Sequence, residues 1–226
     1  MKLSLGFALT SAALALGLAH TASAQDEPAY MVTYIEVSHS GADEAAGLLA
    51  TYAKASQSDE GNQVFQALQR INRPNHFAIL ETWANAQARD AHVNSARAAR
   101  LREDLGPLLY SPIDARPHGD LHTAHFEGAE AGAVYVVTHV DVTPNYTEVT
   151  VGLLETLAAA SRRDNGNVRF DVLVQLNRVN HMTVVEIWDD LEAQQAHTGA
   201  RHALTFRGEL FPMSGALYDE RLYRSL

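Results

Sequence analysis

Hydrophobic and polar positions along this chain fall into two series that repeat one another. In the first, residues 30–38 (YMVTYIEVS) are β-like, and residues 42–56 carry Ala45, Leu48, Leu49, Tyr52 and Ala55 at helical spacing. Gly61-Asn62 marks a turn into a second strand over residues 64–71, an NRPN link suits a hairpin, and residues 76–83 form a third strand. Asn85 is placed to cap a helix running through Arg102, residues 105–109 continue as a short helix, and a closing strand is expected within residues 114–126. The second series keeps this order: a strand from Tyr135, a helix over residues 146–161, strands over 168–176 and 181–188, and a closing strand over 216–224. The pattern is β-α-β-β-α-β, twice.

A shift of 105 residues aligns the two series without a gap, from Tyr30 on Tyr135 to Arg116 on Arg221. Between residues 59 and 92, fourteen of thirty-four positions are identical to their partners, whereas unrelated positions match at about one in sixteen. The chain is therefore duplicated. Its third strand has apolar residues on both parities, Phe77, Ile79 and Trp83 on one and Ala78 and Leu80 on the other. Helices can cover only one face of such a sheet, so the bare face needs the other copy. The expectation is an α+β fold of two ferredoxin-like domains, residues 25–127 and 128–226, packed sheet to sheet.

The first 24 residues stand outside this pattern. Lys2 gives a basic start, residues 3–19 are apolar, and Ala22-Ser23-Ala24 is a small-x-small cleavage signature. They read as a signal peptide cut after Ala24, which implies a periplasmic or secreted protein with no membrane insertion. The remaining 202 residues lose Lys2 alone among the charged groups, which moves the formal net charge from −10 to −11. Nucleic acid and anionic lipid both need a basic footprint, and neither fits as a main partner. With no cysteine, thiolate catalysis, iron–sulfur clusters and cysteine-bound zinc are excluded.

The order of elements, the E-x-W ending of strand three (Glu81-Thr82-Trp83, Glu186-Ile187-Trp188) and the following A-x-x-A-H (residues 88–92 and 193–197) resemble the antibiotic biosynthesis monooxygenase family. The resemblance covers nearly the whole mature chain, twice over. It implies a dimeric α/β barrel, normally assembled from two chains and here an intramolecular pseudo-dimer, self-contained or further associated as a homo-oligomer. It also implies that each closing strand crosses to the other half. Family members that oxidise polyketides carry an asparagine where this chain has Ile79 and Val184. Heme-degrading members carry a tryptophan at His92 and His197, and a ligating histidine at Arg102 and Arg207. The plainer quinol-oxygenase-like pattern matches best: Asn62, Glu81, Trp83 and His92, with Asn167, Glu186, Trp188 and His197. The implied activity is a monooxygenation of a small aromatic or quinol-like ligand without cofactor or metal. The alternative is a non-catalytic small-ligand-binding or stress-associated protein on the same fold.

Such chemistry needs a base near neutral pKa, an anion-forming substrate and a dry pocket. His92 and His197 are the candidate bases, Glu81 and Glu186 would orient them, and Trp83 and Trp188 would wall an aromatic ligand. The structural alternative is that Glu81 and Trp83 pack a strand end and His92 closes the seam between helix and sheet. Asn62 and Asn167 follow Gly, where turn chemistry competes with a ligand role. His76 and His181, on the opposite parity from Glu and Trp, read as partly buried sheet residues. Outside the repeat, His118, Asp120 and His122 stand at period two, which would place three metal ligands on one strand face or a solvated edge strand.

Overall fold

The first series folds as strand β1 (Ala29–Glu36), helix α1 (Ala42–Ser56), strands β2 (Asn62–Arg70) and β3 (His76–Trp83), helices α2 (Ala86–Val93) and α3 (Ala96–Leu105), and strand β4 (Asp114–His122). The second gives β5 (Val134–Asp141), α4 (Thr147–Ser161), β6 (Asn167–Gln175), β7 (His181–Trp188), α5 (Leu191–Gly199), α6 (Arg201–Leu210) and β8 (Asp219–Ser225). The structure is a computed structural model that describes residues 27–124, 126 and 128–226, so the expected signal peptide lies outside the described residues. No helix among them is long and apolar enough to cross a membrane.

The single helix expected from Asn85 through Arg102 is two. The Asn85 side chain accepts from the Ala88 amide, as its capping position required. Ser95 then does the same for Ala98 with its own backbone extended (φ −68°, ψ 155°), which ends α2 and starts α3. In the second half the break falls at Ala200, which is also extended. A one-turn 3-10 segment, Gly106–Leu108, takes the place of the short helix expected after α3.

All eight strands close into one barrel in the order β1-β3-β2-β8-β5-β7-β6-β4. Each half contributes a four-stranded antiparallel set whose two faces have different partners. On β3, Phe77, Ile79 and Trp83 face outward and pack with Leu49, Phe65 and Leu105, while Ala78 and Leu80 face inward. The interior gathers Tyr30, Val32 and Leu68 of the first half with Tyr135, Leu173 and Ile187 of the second. The two sheets thus cover each other, and the helices cover the outside.

Closure depends on β4 and β8. Strand β4 pairs with β1 in its own half and with β6 in the other, His118 lying opposite Gln175. Strand β8 pairs with β5 and with β2, Arg70 lying opposite Tyr223. Both closing strands therefore reach the opposite half, as the resemblance implied. This also removes the edge-strand reading of residues 118–122. His118 is buried and bonded to Thr183 Oγ1 and the Arg116 carbonyl. The exposed Asp120 caps the Thr123 amide, and His122 Nε2 meets Arg162. A register shift between Asp120 and His122 breaks the period-two alignment, and the three side chains do not converge on a metal.

Separating the halves would return each inner face to water. Each large apolar side chain re-exposed costs about 1.5–3 kcal/mol, so one face approaches the whole stability of an ordinary domain, about 5–15 kcal/mol. Residues 25–127 and 128–226 expressed apart are expected to associate with one another or aggregate. Sedimentation of folded, soluble monomeric halves would contradict this.

Candidate functional site

The repeated E-x-W ends β3 and β7 on the helix-facing side. Trp83 is fully buried and its indole nitrogen donates to Glu81 Oε2 at 2.9 Å; Trp188 and Glu186 repeat the bond at 2.9 Å. Burial pushes the carboxyl of Glu81 up to about 7 and that of Glu186 to about 8, with the indole donor only partly opposing it. The histidine nine positions on packs over the indole, with ring centroids 4.6 Å apart in both halves, tilted by 32° in the first and stacked at 25° in the second. The expected convergence of Trp83 with His92, and of Trp188 with His197, is therefore present.

The group that orients each imidazole is an aspartate, not the glutamate. His92 Nδ1 lies 2.8 Å from Asp59 Oδ2, and His197 Nδ1 lies 2.8 Å from Asp164 Oδ2. Their positions follow from one glycine. Gly61 has φ +76°, and a Cβ there would stand 2.6 Å from Ala88 Cβ; Gly166 and Ala193 repeat both values. The turn entering β2 thus seats directly on α2, which sets Asp59 against His92. The Ala84 amide donates to the Gly61 carbonyl at 2.7 Å and holds this contact. The first alanine of the A-x-x-A-H motif is the residue on which the turn seats, and its histidine is the one the aspartate meets.

Asp59 and Asp164 were visible only as one of the identities in the repeat register. Burial alone would raise the Asp59 carboxyl, but hydrogen bonds from His92 and Arg97 hold it below the usual carboxylate range. A carboxylate can only accept, so Nδ1 of His92 carries the proton. Desolvation keeps the ring below its ordinary pKa against the pull of Asp59, leaving it neutral near pH 7 with Nε2 as an acceptor. Tyr52 supplies the donor, its hydroxyl 2.7 Å from Nε2. Sequence spacing marked Tyr52 as a helix core residue, and nothing in the sequence distinguished its hydroxyl.

The space beside Trp83 and His92 is filled. Phe65 packs edge-on to Tyr52, Trp83 and His92. The open volume lies one layer outward, a groove of about 560 Å³ between α1 and α3 lined by Leu48, Thr51, Tyr52, Ala55, Arg97 and Leu101. Asn62 and Asn167 sit at the register shifts that open β2 and β6, and each amide donates to the backbone carbonyl two residues on. His76 and His181 are half-buried beside Glu36 and Asp141.

The halves differ around this common frame. At the place of Tyr52 the second half has Leu157, and at the place of Arg97 it has His202. Arg97 bonds Asp59 Oδ1 at 2.7 Å, whereas His202 Nε2 stands 3.0 Å from Asp164 Oδ2. The second groove, between α4 and α6, measures about 380 Å³ and is lined by Leu153, Leu157, His202 and Phe206 among others.

Two outcomes follow for stability. Gly61→Ala places a side chain at positive φ and against Ala88, and is expected to cost about 1–3 kcal/mol in urea unfolding. The glutamates set a pH dependence: their folded pKa values stand above the ordinary 4.5, so the unfolded chain ionises first and stability falls as pH rises from about 4.5 to about 8. The Glu81→Gln, Glu186→Gln double variant should lose less stability than wild type between pH 5 and pH 8. Equal losses would show that both carboxyls titrate normally.

The arrangement matches known proteins at two levels. No curated relative matches the chain. Among solved structures, two "putative monooxygenase" chains are similar to it over 88% of its length: one from Lactobacillus acidophilus (14% identity, 94% of that chain, TM-score 0.72) and one from Fusobacterium nucleatum (13% identity, 93% of that chain, TM-score 0.76). An anthrone oxidase-like protein is 15% identical over 90% of this chain and 93% of its own, with a TM-score of 0.70. These likenesses establish the fold of both halves together. The family profile described as antibiotic biosynthesis monooxygenase matches residues 28–104 and again residues 133–209, and the chain therefore belongs to that family as a tandem duplication.

Proposed function

We propose that the first half carries the activity, as a cofactor-independent monooxygenase of a small phenol or quinol, in an exported protein whose mature chain begins at Gln25. The observation that carries this reading is the chain Asp59–His92–Tyr52, which runs from a partly buried carboxylate through a buried imidazole to a side chain lining the groove between α1 and α3. A phenolic hydroxyl bound at Tyr52 passes its proton to the tyrosine oxygen as the tyrosine proton moves to His92 Nε2. Asp59 then stabilises the imidazolium, which makes His92 the base even though Tyr52 meets the substrate. The phenolate left behind is electron-rich enough to react with dioxygen. For a hydroquinone, one oxygen atom enters the ring and the other leaves as water, giving a hydroxyquinone. Trp83 and Glu81 act from behind, fixing the plane of the imidazole, and Asn62 shapes the turn that carries Asp59.

In the second half Leu157 has no hydroxyl, so the same path stops at His197. A second reading rests on the filling of the Trp83–His92 space by Phe65: a non-catalytic protein that holds a small ligand in its grooves.

Oxygen uptake with a panel of hydroquinones separates the two. Wild type should consume oxygen; Tyr52→Phe and His92→Ala should lower turnover by about 10²–10⁴-fold while remaining folded, and His197→Ala should lower it less. Uptake that survives Tyr52→Phe unchanged would remove the relay. Saturable binding of the same quinols without oxygen uptake would replace the enzymatic reading with the second one.

A further inference from the structure

We propose that the second half binds a divalent first-row transition-metal ion on Asp164, His197 and His202, at a site the first half cannot form. The duplication supplies its own comparison. Around Asp59 the two neighbours are His92 and Arg97; around Asp164 they are His197 and His202. A guanidinium cannot ligate a metal, because it has only donors and stays protonated. Replacing it by an imidazole turns an ion pair into a set of two histidines and one carboxylate.

The geometry of that set is convergent. His197 Nδ1 lies 2.8 Å and His202 Nε2 lies 3.0 Å from the same atom, Asp164 Oδ2, and all three donor atoms fall within 4.8 Å of one another. Donors that share a metal at about 2.0–2.1 Å stand roughly 3 Å apart when they meet at right angles. His202 Nε2 is shielded from solvent and, despite its nearness to Asp164, makes no hydrogen bond of suitable direction among the described residues. Both imidazole nitrogens face one carboxylate oxygen, and a metal ion would displace their protons to take all three as ligands.

The surroundings add the features of a metal site. His197 ligating through Nδ1 turns Nε2 toward the buried Glu186, whose Oε2 is 3.9 Å away. A bound cation would favour the ionised form of this carboxyl, which could then support the ligating ring from behind. In the first half this side of the ring is taken by the Tyr52 hydroxyl, so the two copies use the outer nitrogen differently. Two imidazoles and a carboxylate, with no thiolate, suit zinc, iron(II) or manganese(II). Three protein ligands leave positions free, and His202 also lines the groove between α4 and α6, where an oxygen-donor ligand would complete the shell.

A second cluster, His139, Asp141 and His181, is less suited. Its donor atoms also fall within 4.8 Å of one another, but His139 and Asp141 make their shortest contacts to opposite nitrogens of the His181 ring (3.1 Å at Nδ1, 3.5 Å at Nε2) instead of to one shared atom.

The test is independent of any oxidase activity. Full-length protein stripped with chelator is titrated with zinc chloride by calorimetry, and unfolding temperatures are recorded with and without zinc. Wild type should bind zinc saturably at one site and unfold at a higher temperature with it. His202→Arg restores the residue of the first half, so its fold should be retained, while zinc affinity should fall by at least about 100-fold, since loss of an outer partner alone costs 10–100-fold. His202→Ala should lose the same affinity without the added charge. Absence of saturable zinc binding in wild type would overturn the proposal. Unchanged affinity in the two His202 variants would overturn it equally, and would place bound zinc at another group such as His139 and His181.

Discussion

A sheet with apolar residues on both faces cannot leave either in water, and this constraint organises the molecule. Helices can shield only the outer face, because both crossovers of a β-α-β-β-α-β unit fall on the same side. The inner face must meet another sheet of the same kind, and the second copy provides it within one chain. Tyr30, Val32 and Leu80 meet Tyr135, Val137 and Val185 in the interior. Closure by β4 and β8 then satisfies the backbone groups at both seams, so no half retains a free sheet edge among the described residues.

The outer layer inherits its order from this arrangement. Trp83 and Trp188 occupy the ends of strands whose inner faces are fixed by the barrel, so each indole can reach only the helix side. There it meets the carboxylate two residues before it and the imidazole nine residues after it. An unpaired indole or carboxyl would be costly at this depth, and the pair satisfies both. The frame is thus packing and chemistry at once: Glu81 and Trp83 support the ring, while Asp59 and Tyr52 decide what the ring can do.

Duplication left the frame intact and changed the groups that touch its open side. Where the first half has Tyr52 and Arg97, the second has Leu157 and His202. Both exchanges lie on helices bordering a groove, where substitutions leave the barrel and the buried Trp–His stack undisturbed. The first half keeps a hydroxyl that couples His92 to the surface. The second lacks it and has a second imidazole beside its aspartate.

Much of this was determined by sequence alone. Hydrophobic periodicity placed the strands and main helices, the 105-residue register established two copies of one unit, and apolar residues on both parities of β3 required a cover. Pairing of Trp83 with His92 was also legible, because a strand end and the helix after it are close in any fold of this order. The break at Ser95 was not, since a serine inside a helical pattern is a cap only if the backbone turns extended there. Asp59 was unrecognised as a partner of His92 because thirty-three residues separate them. Only the seat of Gly61 on Ala88, a tertiary contact, brings the aspartate to the imidazole. Tyr52 and His202 likewise look like ordinary helix positions until α1 meets α2, and α6 meets the Asp164 turn, in three dimensions. Local pattern decided which elements form and which face each one buries. Which polar atoms come within bonding distance was decided by packing across the chain.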